Sequence, residues 1–134
     1  VKSRAKPRRV EERTVLVIQD GERVAIRKRA PKGLLAGLYE LPNTKQHLSS
    51  QEVLELVKNM GLVPLHIQSL GEAKHIFSHV EWRMLGYQIR IQQLEKTRQG
   101  NMIFTDSEEV QNKYAIPSAF DAFTGYLKGG DGAK

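Results

Sequence analysis

The stretch SSQEVLELVKNMG, residues 49–61, constrains the fold more than any other. Ser49 and Glu52 give the S-x-x-E pattern of a helix start, in which each side chain satisfies a backbone N–H at the other's position. Val53, Val57 and Met60 then recur at helical spacing with Leu56 beside them, and Gly61 stands where a helix end favours a residue without a Cβ. The spacing predicts one short, well-capped helix with a single apolar stripe. Such a stripe has to be buried against another layer.

The surrounding sequence supplies that layer as strands. TVLVI (14–18) is a β-branched run, QDGE (19–22) carries the Asp-Gly pair of a tight hairpin, and RVAIRKR (23–29) alternates Val24 and Ile26 with Arg23, Ala25, Arg27 and Arg29. LYELP (38–42) reads as a short strand stopped at Pro42. From Leu65 to Ile91 the pattern is again strand-like, through LHIQSL, HIFSHVEW and MLGYQIRIQ, and MIFT (102–105) adds another strand. Asp106 with Glu109 suggests a second capping box. PSAFDAFTGYLK (117–128) reads as a final helix with Ala119, Phe120, Phe123 and Leu127 near one face. The expected fold class is α+β, a sandwich with a mixed central sheet between the first helix and the C-terminal one.

Composition sets the bounds. At 134 residues and 40% hydrophobic content the chain has the size and the apolar material for one domain. Residues 1–13, VKSRAKPRRVEER, are polar, contain Pro7 and carry Lys2, Arg4, Lys6, Arg8, Arg9 and Arg13 against Glu11 and Glu12. They read as a basic interdomain linker or arm, with the domain at 14–128 and a disordered tail at 129–134. No apolar run reaches membrane length and no signal-peptide pattern is present, so the expected setting is cytoplasmic, with no membrane partner. The absence of cysteine excludes disulfides, thiolate zinc sites and iron–sulfur ligation by these residues. A net charge of +6, with a second basic cluster at Arg23, Arg27, Lys28, Arg29 and Lys32, favours a polyanionic partner or a solvated surface.

HIFSHVEW (75–82) gathers two histidines, a serine, a glutamate and the only tryptophan. His75 and His79 have the i, i+4 spacing of a helical zinc pair, but Ile76, Phe77, Val80 and Trp82 read as strand or loop, and no glutamate follows the first histidine. Ser78 and His79 are neighbours, so on an extended chain their side chains diverge and cannot act as nucleophile and base. The segment predicts neither metal binding nor catalysis, which leaves ordinary polar or partly buried histidines, or contact with something flat and polar.

Two longer patterns carry a resemblance. From Gly37 to Leu62 the order of glycine and strand (GLYELPN), polar loop and helix ending in Gly-hydrophobic resembles the Nudix box. In active Nudix hydrolases that helix clusters carboxylates to hold Mg²⁺ against a pyrophosphate. The matching positions here are Lys58 and Asn59 for two of the glutamates, Leu54 for the arginine, and Asn43 for the glycine pair after Pro42. A lysine at a cation site adds repulsion to the lost ligand, so a degenerate Nudix helix without hydrolase chemistry is expected, with no catalytic and no metal-binding residue.

Together, GLLAGLYELP (33–42) and H-x-F-S-H-x-x-W (75–82) resemble the C-terminal domain of bacterial adenine DNA glycosylases of the MutY type, from about Arg13 to Leu127. The resemblance implies a domain that recognises 8-oxoguanine in duplex DNA for an enzyme that removes the adenine mispaired with it. It implies a recognition loop at Phe77, Ser78 and His79, and no cofactor in this domain. The partners implied are duplex DNA with 8-oxoguanine opposite adenine and an N-terminal catalytic domain of the same protein, which would carry an iron–sulfur cluster and lie near the nucleoid. These residue types suit base reading, because oxidation at C8 adds an acceptor oxygen and turns N7 into a donor, and a serine hydroxyl senses both. Phe77 suits a wedge or a core anchor, and His79 a phosphate contact or a brace. His75 and Trp82 suit structural roles, with Trp82 anchoring the loop. Arg27, Lys28, Arg29 and Lys32 are the candidates for phosphate contact. An active hydrolase of oxidised nucleotides and a protein-docking module are the rival readings.

Overall fold

The computed structural model describes residues 9–125. One eight-stranded mixed sheet contains β1 (Arg9–Asp20), β2 (Arg23–Lys28), β3 (Tyr39–Glu40), β4 (Asn43–Lys45), β5 (Pro64–Ile76), β6 (Val80–Ile91), β7 (Arg98–Gln99) and β8 (Met102–Asp106). Its main order is β5-β6-β1-β2-β8-β7, with β3 on β2 and β4 on β1. β1 and β6 pair in parallel from Arg9 opposite Val80 to Gln19 opposite Arg90, while the other pairings are antiparallel.

Alternation along β1 sends its side chains to two cores. Leu16 and Ile18 join Ala25, Tyr87, Ile89, Ile91 and Phe104, covered by Val53 and Val57 of α1 (Ser50–Asn59). Val15 and Val17 join Val24, Ile26, Trp82 and Met84, covered by Val110, Ile116, Ala119, Phe120 and Phe123. The layers are therefore helix, sheet and helical segments, the sandwich that the sequence pattern predicts.

α1 forms as its sequence dictates. The Ser49 backbone N–H donates to Glu52 at 2.8 Å, the Ser49 hydroxyl accepts from the Glu52 N–H at 3.2 Å, and Gly61 takes a φ of 85° after the last turn. The Thr14 hydroxyl donates to the Gln46 carbonyl and accepts from the Leu48 N–H, and Tyr87 donates to the Leu48 carbonyl. These bonds tie the approach to α1 onto the sheet.

Three expectations change. Arg9–Arg13, assigned from sequence to the arm, form the first part of β1 and pair with β6. Burial begins only at Thr14, so hydropathy marks the start of the core rather than the start of the strand. Asp106 makes no side-chain cap: Glu109 instead accepts from Thr105 Oγ1 at 3.0 Å, and a three-residue α2 (Ser107–Glu109) runs into a π-turn at Val110–Tyr114. The final helix is a 3-10 turn (Ser118–Phe120) and then α3 (Asp121–Thr124). Residues 1–8 of the expected arm, Leu127 and the expected tail at 129–134 lie outside the described residues.

Candidate nucleic-acid interface

Phe77, Ser78 and His79 form the tip of the β5–β6 hairpin. The Phe77 N–H donates to the Val80 carbonyl at 2.7 Å and closes the turn just beyond the Ile76–Glu81 pair. Ser78 and His79 are exposed, whereas Phe77 is half-buried against the Trp82 core. One turn thus offers a hydroxyl and an imidazole to the outside while its aromatic neighbour anchors it.

The anchor is a series of edge-to-face rings. Phe77 lies 4.7 Å from His75 and 5.1 Å from Trp82, and Trp82 lies 5.9 Å from Phe120 of the C-terminal segment. Such contacts favour one relative orientation of the rings, because the positive edge of one meets the negative face of the next. Trp82 is fully buried and, among the described residues, its indole N–H has no hydrogen-bond partner. Arg13 and Arg29 sit over its ring at 4.7 Å and 5.5 Å.

The phosphate candidates divide into two kinds. Lys28 and Lys32 are exposed, whereas Arg27 and Arg29 are partly buried and both donate to Glu40, at 2.8 Å and 2.5 Å. Glu40 itself is 2% exposed. Two guanidiniums on one carboxylate leave net positive charge, and Arg13 adds a third beside them. Burial, with a smaller part from Arg29, pulls the Arg13 guanidinium below its ordinary range, although an arginine remains protonated at any physiological pH. Arg13, Arg27, Lys28, Arg29, Glu40 and Asn101 line a shallow polar cleft of about 250 Å³. A larger cleft of about 370 Å³, lined by Gly61, Val63 and Gln92–Lys96 among others, shares no residue with this cluster or with the hairpin tip.

Sequence reasoning noted Asn43 only in place of a glycine pair and missed its part in this cluster. It is buried, donates to Glu40 at 2.9 Å and to the Leu41 carbonyl at 2.7 Å, and its amide oxygen accepts from Arg13 at 2.8 Å. It thereby joins the Glu40 cluster to the Arg13–Trp82 stack. The only signal in the sequence was a polar residue directly after Pro42. On α1, Glu55, Lys58 and Asn59 are exposed, and among the described residues no three His, Asp or Glu side chains gather as a metal site would require.

A family model described as the NUDIX domain matches residues 14–124. The chain belongs to the NUDIX domain family. This Nudix domain is 35% identical to the adenine DNA glycosylase of Mus musculus over 68% of its own length and 20% of that protein's. It is 34% identical to the adenine DNA glycosylase of Homo sapiens over 66% of its length and 17% of that protein's. The Nudix domain thus spans about a fifth of the length of the curated relatives it matches. Among solved structures, the complex between the C-terminal domain of mouse MUTYH and human PCNA superimposes with a TM-score of 0.64 at 24% identity, covering 84% of each chain. The MutT protein of Methanosarcina mazei Go1 gives a TM-score of 0.62 at 12% identity, covering 92% of this chain and 96% of that one. At these identities the structural likenesses speak to the fold.

Proposed function

We propose that this Nudix domain is the lesion-recognition domain of an adenine DNA glycosylase and that it reads 8-oxoguanine opposite adenine in duplex DNA. The observation that carries the reading is the hairpin tip: Ser78 and His79 are exposed on a turn whose third side chain, Phe77, is seated against a buried tryptophan. A rigid turn can present one hydroxyl to a base edge at little entropic cost. The 8-oxo base differs from guanine by an acceptor at C8 and a donor at N7, and the Ser78 hydroxyl with its own backbone groups complements both.

Lys28 and Lys32, with the residual charge around Arg27 and Arg29, supply sequence-independent contact to phosphates. His79 lies beside Ser78 and serves as a phosphate contact or as a brace of the turn. Glycosidic cleavage belongs to a catalytic domain elsewhere in the parent protein. The present chain has no cysteine, so its residues do not fit an iron–sulfur cluster, and any such cluster sits in that other domain. For a bacterial parent this reading carries a cytoplasmic, nucleoid-associated setting.

The test is a titration with two duplexes that differ only in carrying 8-oxoguanine or guanine opposite adenine. The chain binds the first more tightly, and Ser78→Ala narrows that ratio about tenfold, the value of one good contact to a base edge. Equal binding of the two duplexes by the unaltered chain would remove the recognition role. An unchanged ratio in the variant would remove Ser78 from it.

A further inference from the structure

The hairpin tip is held from the side by the segment that leads into the sheet. The Arg9 N–H donates to the His79 carbonyl at 3.1 Å, and β1 then runs beside β6 with Glu11 opposite Trp82 and Arg13 opposite Met84. From that position the Arg13 guanidinium carbon lies 4.7 Å from the centre of the Trp82 ring. Trp82 meets Phe77 at 5.1 Å with the rings inclined by 73°. Among the described residues the indole N–H has no partner whose hydrogen bond would orient the ring. Its orientation depends on what lies on its face and at its edge.

Arg13 is itself held in place. One terminal nitrogen donates to Asn43 at 2.8 Å, another to Glu11 at 3.4 Å, and its Nε is buried without a partner among the described residues. The side chain is only 13% exposed, which suits a packing element better than a phosphate ligand. A planar guanidinium is the cation that can both stack on an indole and donate sideways, and a lysine ammonium has no such face.

We propose that Arg13 is a positioning residue for base reading: stacked on Trp82, it sets the ring of Phe77 and so the projection of Ser78 toward the modified base. The inference rests on the reading of the hairpin as a recognition loop. It gives Arg13 a part in specificity rather than in general affinity for DNA.

Trp82 is the chain's only tryptophan, so its fluorescence reports the stack directly. The experiment compares the unaltered chain with Arg13→Lys, which keeps the charge and removes the plane. One arm measures Trp82 emission and acrylamide quenching without DNA. The other titrates 8-oxoguanine and guanine duplexes over a range of salt concentrations.

Expected are easier quenching of Trp82, a fall of about three- to tenfold in the 8-oxoguanine to guanine binding ratio from loss of the cation–π contact, and an unchanged salt slope. A preserved ratio with a weakened affinity for both duplexes would make Arg13 a phosphate contact and overturn the proposal. Unchanged Trp82 quenching would overturn it as well. If the unaltered chain shows no preference between duplexes, the recognition reading fails and takes the base-reading role of Arg13 with it, while the fluorescence arm decides separately whether Arg13 holds the ring. Should Arg13→Lys melt too low to assay, Trp82→Phe keeps an aromatic face but shortens the bridge to Phe77. The ratio then falls in the same way, and an unchanged ratio overturns the proposal.

Discussion

Glu40 shows how single residues divide between stability and binding. Its carboxylate is almost sealed from water and accepts from Arg27, Arg29 and Asn43. Glu40→Gln leaves two partly buried guanidiniums without a counter-charge, at a cost of about 3 kcal/mol in a chemical-denaturation curve. The same change releases positive charge at the cleft, so affinity for undamaged duplex at low salt rises and its dependence on salt steepens. A variant that lost stability without gaining affinity would show that the cleft does not face DNA. Phe77 and Ser78 could be proposed from the sequence because they are adjacent in a short recognisable phrase. Asn43 and Arg13 could not, since the bond that joins them spans 30 residues and the Trp82 ring lies further still along the chain, and contacts of that kind leave no period in a sequence.

At the scale of elements, α1 was legible almost to its ends because its signals are local: a cap, a stripe and a glycine. Ser49→Ala removes the hydroxyl that accepts from the Glu52 N–H, while the Ser49 backbone N–H keeps its bond to Glu52, and lowers the unfolding free energy by about 1 kcal/mol, read from a urea midpoint. The start of β1 was hidden for the opposite reason. Arg9–Arg13 form a strand by pairing with β6, and their polar side chains mimic a linker. Glu11 gives that stretch a signature in pH. Desolvation raises its pKa, but hydrogen bonds and charge from Arg9 and Arg13 outweigh this and hold it below the ordinary carboxylate range. A carboxylate depressed on folding stabilises the fold above its unfolded value, and that part is lost as the pH falls through the lower folded value. Thermal melts between about pH 3 and pH 6 will therefore show a shallower acid dependence in Glu11→Gln. An acid slope equal to that of the unaltered chain would show that Glu11 makes no such contribution.

For the molecule as a whole, the layered architecture could be read from patterning because each layer's period differs, whereas the partner of each strand could not. Nothing in TVLVI announces that its neighbour is MLGYQIRIQ, yet the parallel ladder between β1 and β6 is a main seam of the sheet. That seam has a consequence in time. The β1–β2 turn and the β5–β6 hairpin close over a few residues, while the seam must bring together segments separated by half the chain, an entropic cost met before any contact rewards it. In refolding, far-UV circular dichroism should therefore recover ahead of Trp82 fluorescence, and coincident phases would argue for a single closure step. Because the Arg9 N–H meets the His79 carbonyl at the end of this seam, the hairpin tip acquires its seat only when the seam closes. During synthesis the β5–β6 hairpin would stand apart from the strands already built around β1, and only the closing of β6 against β1 would join the two parts of the sheet and fix the edge proposed to read a base.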